Sequence, residues 1–154
     1  VGGFDRLVAV AFDKETFTWG TANSISMIHI SNVARADHTL PDSILYGTQA
    51  YKSITKLKSV AVLHILKAGY NVIFTDVDVV WFKNPYYALQ EYWITDFVIQ
   101  HDARSDSLRK FNSGLYGVRP TLDIISAFEC NLRAVASSRK SSKVNRRSTR
   151  PISF

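Results

Sequence analysis

A chain of 154 residues with 46% hydrophobic and 12% aromatic content can bury one real core, which excludes disorder throughout, and it holds no apolar run long enough to read as a membrane span. The net charge of +6 sits at one end, because residues 138–154 hold six Lys or Arg and no acid, leaving 13 basic against 13 acidic residues in 1–137. No aromatic side chain is interleaved with those charges to stack on bases, so no nucleic acid is expected as a partner. One cysteine, Cys130, excludes an internal disulfide and any zinc spacing; in the apolar stretch IISAFEC it reads as a small core residue.

In chain order, RLVAVAFD (6–13) is a short buried strand that delivers Asp13 at its carboxyl end. KETFTWG (14–20) follows as a short helix closed by Gly20, and SMIHIS (26–31) as a second strand. Residues 32–48, with Pro41, Asp42 and Gly47, read as a loop. From Thr48 to Ala68 the pattern turns helical: Tyr51, Ile54, Lys58, Ala61 and Ile65 recur at spacings of three and four, and Gly69 stops it. Leu57, Val60, Leu63 and Leu66 form another apolar stripe, so this helix packs against a sheet.

YNVIFT (70–75) is then a buried strand, and the order helix, Gly, strand argues for a parallel α/β sheet. Asn84 can cap a helix with Pro85 at its first position, running PYYALQEYW. DFVIQ (96–100) and GLYGV (114–118) read as strands, HDARSDS as the loop after the first of them, and PTLDIISAFECNLRAVAS as a helix opened by Pro120. The last stretch, SRKSSKVNRRSTRPISF (138–154), is too polar and too uniformly charged to order itself, so a disordered tail follows a domain of residues 1–137.

Within VIFTDVDVVWFKNP (72–85), Asp76 and Asp78 interrupt an apolar run. Buried carboxylates are costly unless something compensates their charge. In an open α/β sheet, ligands gather beyond the carboxyl ends of strands, where Asp76 and Asp78 stand, as do Asp13 and the pair His101 and Asp102. In an extended chain both aspartates point to one side with backbones roughly 6–7 Å apart, so for one cation to reach both, the chain bends at Val77 or a water or substrate oxygen intervenes. Oxygen-only ligation suits Mg²⁺ or Mn²⁺. The plainer reading of such a pair is that one aspartate caps a turn and the other meets a lysine.

The run LHILKAGYNVIFTDVDVVWFKNPY with Lys58 before it, followed by FNSGLYGVRPT, resembles the nucleotide-diphospho-sugar transferase family, which includes plant rhamnogalacturonan xylosyltransferases and related arabinosyl- and galactosyltransferases. The likeness covers roughly residues 48 to 125. It implies a GT-A-like, Rossmann-like α/β fold, a mostly parallel sheet flanked by helices and incomplete at both ends, with residues 1–137 as a partial transferase domain. It also implies a sugar nucleotide donor, a UDP-sugar first among them, a glycan or glycoprotein acceptor, and Mn²⁺ or Mg²⁺ held by Asp76 and Asp78. Asp78 would meet the ion most directly and Asp76 the ion or the ribose. Lys58 could reach a phosphate, or simply snorkel to water. Asn112, Ser113 and Gly114 fit a substrate wall or a plain tight turn. Asp102 fits a catalytic position near the anomeric carbon or an ordinary loop. The family's usual setting is the Golgi lumen, as part of a single-pass type II membrane protein.

VIFTDVDVV also fits a haloacid-dehalogenase-type phosphatase, with Asp76 as nucleophile and Asp78 as general acid/base. Against that alternative, the later acids (Glu91, Asp96, Asp102, Asp106, Asp123, Glu129) form no adjacent pair to hold its Mg²⁺. An inactive transferase-like fragment is the third reading.

Overall fold

The computed structural model describes residues 6–30, 48–101 and 111–147. Strand β1 (Ala9–Ala11), helix α1 (Lys14–Ala22) and strand β2 (Met27–His29) form a small parallel unit in which Ala9 faces Met27 and Ala11 faces His29. Asp13 caps α1 by accepting from Thr16 N at 2.7 Å. Gly20 does not close this helix as its type suggested. It lies buried inside it, because a Cβ there would come within 2.7 Å of the Met27 sulfur. The stop falls at Ser24, whose φ of 59° is left-handed, with Ile25 N donating back to Gly20 O.

Helix α2 (Gln49–Lys67) has the expected bounds. Thr48 accepts from Tyr51 N at its start, and Gly69, at φ 88°, turns the chain out at its end, with Gly69 N donating to Leu66 O and Tyr70 N to Ile65 O. That turn delivers β3 (Val72–Thr75). Asn84 then accepts from Tyr86 N and Pro85 opens α3 (Pro85–Leu89), which tightens into a 3₁₀ turn over Gln90–Tyr92. Strands β4 (Phe97–His101) and β5 (Phe111–Val118) follow, and then α4 (Leu122–Arg147).

The larger sheet has the order β3-β5-β4, with both pairings antiparallel. The expected mostly parallel sheet is therefore corrected: β3 and β4 do run the same way, but β5 is inserted between them in the opposite direction. A strand's own alternation does not encode which neighbour it takes. What the structure establishes is a mixed α/β fold with four helices among the described residues.

Rows Val72–Val118–Phe97 and Phe74–Tyr116–Ile99 cross one face of this sheet. Val62 and Leu66 of α2 and Ile124, Ile125 and Phe128 of α4 pack on that face, where Leu66 and Val118 are fully buried. On the other face Leu89 and Trp93 lie over Gly117. Lys67 of α2 and Arg133 both pair with Glu129, tying α2 to α4.

Helix α4 runs ten residues past the expected end at Ser137. Residues 138–147 contain no Gly or Pro to stop it, and Lys and Arg are good helix formers. Cys130 is exposed rather than in the core, because the inward face of α4 is set by Ile124, Ile125 and Phe128.

Candidate active site

The carboxyl end of β3 holds the first aspartate. Asp76 N donates to Gly114 O at 2.8 Å, which extends the β3–β5 ladder by one residue. The chain then turns at Val77 and Asp78, with Val79 N reaching back to Asp76 O at 3.4 Å. A bend thus falls where a shared ligand would require it.

Strand β5 is shaped to meet this end. Ile99 of β4 pairs with Tyr116, but the next residue, Gln100, pairs with Asn112, so Ser113, Gly114 and Leu115 bulge away from β4 while Leu115 stays paired to Thr75. Asn112 Oδ1 accepts from Gly114 N at 2.8 Å and fixes the bulge. Any side chain at Gly114 would crowd Asp76, since a Cβ there would sit 3.2 Å from Oδ2 and 3.0 Å from Asn112 Oδ1.

Lys58 reaches down from α2 and donates to Asp76 Oδ1 at 2.5 Å, with its ammonium 5.8 Å from the centre of the Phe74 ring. The period of two puts Phe74 and Asp76 on the same face of β3, the face that α2 covers. Tyr116, directly across from Phe74 on β5, stacks on it with centroids 5.0 Å apart. Burial, and secondarily the Asp76 charge, push its phenol well above the ordinary tyrosine range, so it stays neutral.

The structure therefore brings Lys58, Asp76, Asn112 and Gly114 together, with Ser113 exposed on the bulge and Asp78 exposed in the adjoining turn. Among the described residues, Asp78 makes no side-chain hydrogen bond or ion pair, and no group of three or more His, Cys, Asp or Glu forms a metal cluster. Asp102 lies outside the described residues; His101 is exposed at the end of β4. Asp13, with its carboxylate committed to Thr16, belongs to the α1 cap, and those hydrogen bonds hold its carboxyl below the usual range. Nor is the segment around the aspartates a buried run, since Val77, Val80 and Phe82 project into solvent beyond the turn. Phe74 and Tyr116 escaped the sequence reading, although Phe74, two residues before Asp76, was identifiable from strand alternation.

A family model described as nucleotide-diphospho-sugar transferase matches residues 2–146. Among curated proteins, a beta-arabinofuranosyltransferase of Arabidopsis thaliana is 38% identical over 98 residues, 60% of this chain and 18% of the relative. A UDP-galactose:fucoside alpha-3-galactosyltransferase of Dictyostelium discoideum is 44% identical over 84 residues, 54% of this chain and 13% of the relative. A UDP-D-xylose:L-fucose alpha-1,3-D-xylosyltransferase of Arabidopsis thaliana is 40% identical over 45 residues, 29% of this chain and 12% of the relative. The chain thus spans less than a fifth of the length of each of these three relatives. No solved structure matches. The phosphatase alternative finds no support in these likenesses.

Proposed function

The chain belongs to the nucleotide-diphospho-sugar transferase family, and on that premise we propose that it serves a metal-dependent transfer of a sugar from a UDP-sugar to a glycan or glycoprotein acceptor. The observation that carries this reading is the pair of carboxylates at the end of β3: Asp76 oriented by Lys58 and the β5 bulge, Asp78 exposed in the turn beyond. UDP is favoured because two of the relatives are named for UDP-sugars.

The donor set suits a hard divalent cation, Mn²⁺ or Mg²⁺. Asp76 and Asp78 would supply part of its oxygen shell, leaving positions for phosphate oxygens and water. Such an ion supplies charge neutralisation where the leaving nucleoside diphosphate gathers negative charge. The protein's own groups do the rest. Lys58 offers a cation within reach of the same phosphates, and the Asn112–Ser113–Gly114 bulge forms a wall on which backbone can approach the sugar. Asp102 would act near the reacting carbon, and the setting would be the Golgi lumen, behind a type II anchor, both by likeness to the family.

UDP release from UDP-galactose and UDP-xylose tests the proposal. Release that requires Mn²⁺ and is lost on chelation and in Asp78→Asn supports it. Release indifferent to both, or phosphate ester hydrolysis in its place, contradicts it.

A further inference from the structure

Asp76 Oδ1 accepts the Lys58 ammonium at 2.5 Å, and the two side chains keep 27% and 28% of their surface, so the pair is partly screened but open to ions. With Lys58 seated, the cluster of Lys58, Asp76 and Asp78 carries a net charge of −1; without it, the two carboxylates present −2. A divalent ion on Asp76 Oδ1 would stand beside the ammonium, and that like-charge contact disfavours holding both. Lys58 also has somewhere to go. Its ammonium stands 5.8 Å from the centre of the Phe74 ring, and both partners are exposed enough for it to swing to water or to a phosphate.

We propose that Lys58 is an internal counter-ion of the metal site, a positioning residue that holds Asp76 in place and is displaced when a divalent cation takes the carboxylate. The inference rests on the reading of Asp76 and Asp78 as metal ligands and adds an order to it. The cation arrives first, and its arrival frees a lysine that can then bind the donor's diphosphate. The β5 bulge keeps Asp76 oriented through the exchange, because Gly114 O holds its backbone N–H and the missing side chain leaves Oδ2 room.

The test uses Mn²⁺ alone as probe, with free Mn²⁺ read by electron paramagnetic resonance, on the wild type, Lys58→Met, Lys58→Arg and Asp78→Asn. Removing the competing ammonium in Lys58→Met tightens Mn²⁺ binding by about threefold to tenfold, whereas Lys58→Arg keeps it near the wild type. In the wild type, a pulse of amine acetylation followed by mass spectrometry labels Lys58 faster when Mn²⁺ is saturating. That measurement decides the matter even if Lys58→Met does not fold. Unchanged or weaker Mn²⁺ binding in folded Lys58→Met, or Lys58 labelling indifferent to bound Mn²⁺, would show the pair to be a fixed structural tie. Mn²⁺ binding that persists unchanged in Asp78→Asn would remove the metal reading itself, and the displacement with it.

Discussion

Helix α2 makes two ion pairs of the same length, one from its middle and one from its last residue, and the two differ in everything else. Lys58 meets Asp76 at 2.5 Å and Lys67 meets Glu129 at 2.5 Å. Nine residues apart, the lysines project from opposite sides of the helix. At the Lys67 end the lysine is 49% exposed and its partner also takes Arg133, one turn along α4, so the contact only joins two helices at their solvent-facing side. At Lys58 the carboxylate is held by a strand end, flanked by a glycine no other residue replaces easily, and followed by a second, exposed carboxylate in a turn. Distance alone does not distinguish a structural ion pair from a site. The backbone built around the carboxylate does.

The largest effect falls on what both ion pairs depend on, the seating of α2. Leu66→Ala empties the junction of α2 with the sheet, where Leu66 is 1% exposed, and lowers stability by about 2–5 kcal/mol in denaturant unfolding. Next, Asp78→Asn lowers UDP release by roughly a hundredfold, because it weakens the hold on the cation that offsets the charge of the leaving diphosphate, and leaves the melting temperature unchanged because, among the described residues, the exposed Asp78 side chain makes no hydrogen bond or ion pair. Gly114→Ala comes third. Its methyl forces Asp76 Oδ2 or Asn112 Oδ1 to move and costs about 1–3 kcal/mol in thermal unfolding, and it weakens Mn²⁺ binding as well. Ser113→Ala in the same bulge costs neither stability nor metal affinity, which separates crowding from general damage to β5.

The smallest effect belongs to the Lys67 end. Hydrogen bonding and charge from Lys67, then from Arg133, hold the Glu129 carboxyl below its ordinary value of 4.5. A carboxylate lowered on folding stabilises the protein above its unfolded value, and that contribution fades as pH falls below 4.5 through the folded value. The wild-type melting temperature therefore drops slightly more steeply below pH 4.5 than that of Glu129→Gln, and UDP binding at neutral pH is the same in both. A change in nucleotide binding in Glu129→Gln would erase the distinction between the two ion pairs.

Local signals were legible in the sequence. Thr48 and Gly69 bound α2, Asn84 and Pro85 open α3, and the apolar run before Asp76 is a strand, because caps, prolines and periodicity act within a few residues. Pairings between distant residues were not. The insertion of β5 between β3 and β4 depends on which edges meet, and Lys58 finds Asp76 across 18 positions only because α2 lies on that face of the sheet. Gly20 misled for a related reason: its value lies in the approach of Met27 from another element. Of the candidate site, DVD and NSG were visible as motifs, whereas the bulge that brings them together, and the Phe74 and Tyr116 rings behind Lys58, required the register.

Calorimetric titration of UDP into the protein, with and without Mn²⁺ and in Asp78→Ala, tests the central claim most directly. The account predicts UDP binding that needs Mn²⁺ and vanishes in Asp78→Ala while the variant's melting temperature stays that of the wild type. UDP binding that persists without Mn²⁺ and in the variant, or no UDP binding at all, would contradict it.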